Sequence, residues 1–129
     1  MAKLVNEGET EVCEAIKARY ATLYLGMYED TTEPPETATL ASLTEQAGGS
    51  GYARIALAQA DWSISGDTMT NLEKTFTASG AAWGNQYGYF IGTTSDNTGK
   101  LLFVHHFTNG PFYIADGGSN DITPKLQAS

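Results

Sequence analysis

The sequence predicts an all-β fold, an antiparallel β-sandwich of jelly-roll type with one short N-terminal α-helix. Three observations predict it. Apolar residues recur at every second position in several segments after Ala21, which is the side-chain period of a strand. Turn residues interrupt these segments roughly every 8–12 residues, the rhythm of sandwiches and jelly rolls. Only one segment carries helical spacing, whereas a parallel sheet would need a helix at each crossover. A chain of 129 residues suits one domain, 1–129, with its own core. Its expected parts are an arm at 1–5, a helix at 6–20 and a sandwich at 22–128 that includes an acidic loop at 29–46.

The helix is marked by Asn6-Glu7-Gly8-Glu9. Asn6 can cap with its side-chain oxygen while Glu9 reaches back to the Asn6 N–H. Glu7, Glu9 and Glu11 lie near the start and Lys17 and Arg19 near the end, as the helix dipole favours. Val12, Ile16 and Tyr20 form one apolar stripe with Cys13 beside it. Cys13 is the only cysteine, so no intrachain disulfide forms, and its place on the stripe predicts a small buried hydrophobe.

Strands follow. Thr22–Tyr28 alternates Leu23, Leu25 and Met27 against Thr22, Tyr24 and Tyr28. The loop after it contains Pro34-Pro35 and is too long for a tight hairpin. Tyr52–Ala58 alternates again, and shorter strands are expected at Trp62–Ile64, Leu72–Thr77, Gln86–Gly92, Leu101–Phe107, Phe112–Ala115 and Ile122–Leu126.

Gly48-Gly49-Ser50-Gly51 raises the question of a phosphate loop. Such loops open a helix, so that N–H groups and dipole converge on the anion, and the nucleotide version adds a Lys-Ser/Thr pair. Here the next residues are Tyr52-Ala53-Arg54 at the start of a strand. The glycines are therefore expected to supply φ values that other residues resist. His105-His106 cannot chelate one ion together, because neighbours on a strand face opposite ways; one is expected packed and hydrogen-bonded, the other exposed. Asp116-Gly117-Gly118-Ser119-Asn120-Asp121 lacks the spacing and terminal Glu of a helix-loop-helix calcium site and reads as a turn. No Gly-x-Ser-x-Gly elbow is present, and no two carboxylates are singled out by spacing. No catalytic residue, metal ligand or cofactor site is assigned.

Fifteen acidic residues oppose seven basic ones, for a formal charge of −8. This argues against nucleic acid, which needs a basic footprint. The longest unbroken apolar runs, Leu101–Val104 among them, are too short to span a bilayer, and the first residues have no secretory core, so synthesis in a cytosol is expected. Residues 29–46 hold Glu29, Asp30, Glu33, Glu36 and Glu45 without a Lys or Arg, a run expected to be solvated or to meet a basic surface. Trp62, Trp83, Tyr87, Tyr89, Phe90, Phe103, Phe107, Phe112 and Tyr113 gather in the second half. Most must fill a core, and an exposed minority would suit a protein interface or a sugar.

Taken together, Asn6-Glu7-Gly8-Glu9, Leu23-Tyr24-Leu25-Gly26-Met27-Tyr28, Gly48-Gly49-Ser50-Gly51-Tyr52-Ala53-Arg54, Trp62, Thr75-Phe76-Thr77-Ala78, Ala82-Trp83-Gly84 and Leu101-Leu102-Phe103 occur in an order that resembles small virion structural proteins of tailed bacteriophages. After Trp-Gly the chain departs from the usual pattern, with Asn85-Gln86-Tyr87-Gly88 richer in Tyr and Gly. The resemblance implies a capsid decoration (cement) protein without enzymatic activity. It would be made in the bacterial host cytoplasm, carried on the capsid surface of the virion, and bound to the major capsid protein as a dimer or trimer, with no membrane or nucleic-acid partner. The alternative is a tail-fibre or adhesin module that binds a host glycan or protein through exposed Trp83, Tyr87 or Tyr89. The interface expected from charge and loop position comprises Lys3, Leu4 and Val5 of the arm, the acidic Glu29, Asp30, Glu33 and Glu36, and the aromatic Trp83 and Tyr87.

Overall fold

A computed structural model describes residues 1–128 of the chain. Helix α1 spans Asn6–Arg19, with Glu7 and Glu9 in its first turn and Lys17 and Arg19 in its last. The expected cap is corrected. Val5 occupies the N-cap position, no side chain caps the helix, and the Glu9 N–H donates to the Val5 carbonyl at 2.9 Å. The backbone turns helical one residue early, so Asn6 lies inside the first turn. Cys13 is buried, as its stripe implies, and Ile16 and Tyr20 pack against the core beside it, while Val12 stays exposed.

Eleven strands follow among the described residues. They are β1 (Thr22–Tyr28), β2 (Ile55–Ala58), β3 (Ser63–Ser65), β4 (Thr68–Thr70), β5 (Lys74–Thr77), β6 (Gly84–Gln86), β7 (Gly88–Gly92), β8 (Leu101–His106), β9 (Phe112–Ile114), β10 (Ser119–Ile122) and β11 (Lys125–Gln127). The main sheet has the order β2-β1-β7-β8, a second has β11-β4-β3, and β10-β5 and β6-β9 form two-stranded ribbons, every pairing antiparallel. The chain is thus a mainly-β protein with one helix, as the period-two patterning implies. Strand β1 matches its predicted limits residue for residue.

Several boundaries differ, each for a physical reason. The expected strand over residues 86–92 is two strands, because Tyr87 turns its N–H to the Tyr28 carbonyl at 2.9 Å and leaves β6 to pair with β9. Leu72 is exposed and lies outside β5. The turn after Asp116 is shorter than expected: Gly117 takes a φ of 81°, and β10 already pairs with β5 from Ser119.

The front face of the main sheet carries Leu23, Leu25, Met27, Leu57, Tyr89 and Ile91. These join Met69, Phe76, Ile114, Ile122 and Leu126 of the smaller sheets in one apolar cluster. Burying each large side chain contributes about 1.5–3 kcal/mol, so this cluster dominates the folding free energy. The back face has a smaller cluster of Tyr28, Phe90 and Leu40, and Leu40 comes from the acidic loop. Gly88 in the main sheet is fixed by packing, since a Cβ there would lie 2.3 Å from both the His105 carbonyl oxygen and the Tyr28 hydroxyl.

Candidate functional site

Three places gather polar or aromatic side chains. The first is the glycine-rich segment. Gly49, Ser50 and Gly51 all have positive φ, at 92°, 50° and 86°, and the Tyr52 N–H closes the turn onto the Gly49 carbonyl at 3.0 Å. This left-handed run is the reason for the glycines, and it aims Tyr52 and Arg54 inward. The Arg54 guanidinium grips both Glu45 oxygens, at 2.9 and 2.7 Å. It also donates to the carbonyls of Thr94 and Asp96 and to Asn97 Oδ1, and it lies 5.0 Å above the Phe90 ring. The Tyr52 hydroxyl donates to Glu45 at 2.6 Å and accepts from the Met27 N–H at 3.0 Å. Burial, then the Glu45 carboxylate, push its phenol well above the usual tyrosine range. The guanidinium is engaged on all sides by its own chain. It staples the 93–97 turn to the glycine turn.

The second place is the acidic loop. It is not a solvated strand of chain. Pro34 and Leu40 are buried, Thr39 and Ser42 form a reciprocal capping box around a single 3-10 turn at Leu40–Ser42, and its ends are tied by Glu29 N–H to the Thr44 carbonyl (2.7 Å) and Thr44 N–H to Asp30 Oδ2 (2.8 Å). Glu45 is neutralised in the only ion pair among the described residues. The expected interface residues Glu29, Asp30, Glu33 and Glu36 therefore remain as a fixed group of carboxylates. Glu33 and Asp30 lie close enough to the buried Tyr28 phenol to add to the rise that burial imposes on it. The Tyr28 hydroxyl and His106 Nδ1 share a hydrogen bond of 2.9 Å, and the Tyr87 ring stacks on His106 at 6.2 Å. The structure thus places Tyr87 against His106 and Tyr28.

Trp83 is a correction. It is 5% exposed, its indole N–H donates to the Ser50 carbonyl at 2.8 Å, and its ring meets Tyr52 edge-on at 5.4 Å. It is a core residue, not interface. Tyr89, named for glycan contact, is buried too. Lys3, Leu4 and Val5 are exposed and lie apart, leading into α1, which packs on β3 and β4. His106 is the packed histidine and His105 the exposed one, as expected.

The third place is a groove of about 780 Å³ between β8 and the segment Asp121–Gln127. Strand β8 is an edge of the main sheet. The Phe107 N–H donates inward to the Tyr87 carbonyl at 2.9 Å, so by alternation the backbone groups of Val104 and His106 face outward. Across the groove β11 is an edge of its own sheet. There the Tyr89 hydroxyl donates to the Lys125 carbonyl and accepts from the Lys125 N–H, both at 3.2 Å, the two bonds that a neighbouring strand would make. Burial raises the Tyr89 phenol pKa, and the Lys125 N–H offsets part of that. His105 and Phe107 line the groove with ring centroids 5.1 and 6.2 Å from Tyr89, and Phe107 meets the exposed Phe112 at 5.0 Å.

Sequence reasoning missed this groove. The signal was present in Asp121-Ile122-Thr123-Pro124-Lys125-Leu126-Gln127, where Ile122, Pro124 and Leu126 alternate inward along the whole wall. Among the described residues no helix is long and apolar enough to cross a membrane, and no cluster of three or more His, Cys, Asp or Glu is arranged to hold a metal ion. Compared with protein-family models, curated proteins and solved structures, the chain matches none.

Proposed function

We propose that this chain is a non-enzymatic structural protein of a bacteriophage virion, a capsid decoration protein that binds the major capsid protein on the particle surface. In this reading the main sheet and the smaller sheets are the two layers of a jelly-roll-like sandwich, the copies form a dimer or trimer, and neither membrane nor nucleic acid is a partner. The observation that carries it is the acidic loop. Four carboxylates outside any ion pair, Glu29, Asp30, Glu33 and Glu36, are held by a loop whose ends are bonded together and which Pro34 and Leu40 anchor. An acidic surface on an anchored loop suits a basic patch on a folded protein, because little loop entropy is lost on docking. Many copies on one lattice convert a modest contact into firm attachment.

The test is co-sedimentation with expanded empty capsids, procapsids and isolated tails in parallel. Binding to expanded capsids alone is expected, and E33K together with E36K should weaken it at least tenfold and flatten its salt dependence. Binding to tails alone would replace this reading with the tail-fibre alternative, and binding to no particle would remove it.

A further inference from the structure

The exposed large hydrophobic residues are few, and most lie in the arm or on β9. Seven are exposed among the described residues: Met1, Leu4, Val5, Val12, Leu72, Phe112 and Tyr113. Three belong to the arm, where Leu4 is 47% and Val5 61% exposed. Phe112, 40% exposed, stands beside Phe107, which lines the groove along β8, and Tyr113, 65% exposed, is its neighbour on β9. In its own subunit the arm has no secondary structure, Val5 is already extended (φ −94°, ψ 170°), and Leu4 rests over Gly8 in the first turn of α1.

We propose that the arm, Met1–Val5, of one copy lies as an added strand in the β8 groove of a second copy, so that the protein assembles by arm exchange. Length and edge chemistry favour this occupant. Five extended residues span about 16 Å, against about 20 Å for the six residues of β8. The open edge of β8 offers the outward backbone groups of Val104 and His106, and an exposed apolar edge is a template for a further strand. Within β8 no Lys, Asp, Glu or Pro blocks such pairing. On an added strand Met1 and Val5 would share the face toward the aromatic floor, and Leu4 would lie on the other face. Lys3 gives the arm a positive charge in a chain of net charge −8, and the groove wall carries Asp121 together with Lys125. This inference goes beyond the proposed function and holds whether or not a capsid is the partner.

Sedimentation equilibrium of the full chain tests it. The wild-type protein should be a dimer or trimer at micromolar concentration. Leu4→Ser with Val5→Ser removes the apolar side chains of the arm without adding charge, and Thr123→Arg fills the groove wall. Both lie at exposed positions, so the far-UV circular dichroism of each variant's subunit should be unchanged and its Tm should not fall, since Ser at the N-cap position caps a helix better than Val. Each change alone should weaken association at least tenfold. A wild-type chain that stays monomeric, or an association untouched by either change, overturns the proposal. Capsid binding is read separately, so loss of one result leaves the other standing.

Discussion

Replacing Arg54 by Ala should cost about 3 kcal/mol, and the structure sets that magnitude. The side chain is buried, grips Glu45 with both arms of its fork and bonds two carbonyls and the Asn97 side chain. Removing one partner of a buried pair costs about 3–5 kcal/mol, because the other charge stays behind unpaired. Glu45 is 21% exposed, so water reaches the orphaned carboxylate and the low end of that range applies. Unfolding entropy of roughly 2.1 cal/mol/K per residue over 129 residues comes to about 0.27 kcal/mol/K. A loss of 3 kcal/mol therefore lowers Tm by about 11 °C. Arg54→Lys keeps the charge but loses the planar fork, so it should fall about midway. Calorimetry of Arg54→Met, Glu45→Gln and the double variant isolates the pair, with a coupling of about 2 kcal/mol expected. A single variant within 0.5 kcal/mol of wild type on that scale, or a coupling near zero, would show that the contact is incidental and that the glycine turn holds itself.

Two further outcomes follow from packing and burial. Gly88→Ala should cost about 3 kcal/mol by overpacking, since its Cβ meets the His105 carbonyl and Tyr28. Gly66→Ala should cost only about 1 kcal/mol, because Gly66 needs a φ of 61° and a Cβ there meets nothing; equal losses in urea titrations would refute the distinction. The phenols of Tyr28, Tyr52 and Tyr89 are all raised by burial. Raised acids favour the fold while neutral, so their contribution is complete below the unfolded pKa of about 10 and is lost as pH climbs beyond it. The absorbance of these three tyrosinates should rise in one cooperative step together with loss of circular dichroism; ionisation of all three with the fold intact would contradict this.

How far the sequence reveals this structure depends on the range of the forces involved. Strand β1 was legible because alternation and burial act on the same seven residues. The glycine turn was legible because three successive positive φ values demand glycine-like residues whatever packs nearby. Tyr87 was not. Its place is set by a bond from its N–H to Tyr28, 59 positions away in the chain, and no local pattern encodes such a partner. Trp83 failed for the same reason, since an indole reads alike in a core and on a surface until its N–H acceptor, Ser50, is known. The acidic loop misled through composition. Glu33 and Glu36 are as exposed as expected, but Glu29, Asp30 and Glu45 are half-buried, and Leu40 and Pro34, two apolar residues in a polar stretch, tie the loop down.

That anchoring connects the stability of the fold to its proposed partner surface. Glu45, the neutralised carboxylate of the acidic loop, bridges to Tyr28 at the end of β1 and is held by Arg54. Freeing Glu45 by Arg54→Ala removes the clamp at the C-terminal end of the loop but leaves Leu40 in its pocket and Asp30 bonded to Thr44. The four outer carboxylates would then keep their charge and lose part of their fixed spacing. If rigid spacing is what a basic surface recognises, Arg54→Ala must weaken capsid attachment at temperatures far below its lowered Tm, where the subunit is still fully folded. If charge alone matters, attachment there is unchanged and only E33K with E36K reduces it. The two variants thus separate an electrostatic contribution to docking from a geometric one on the same loop.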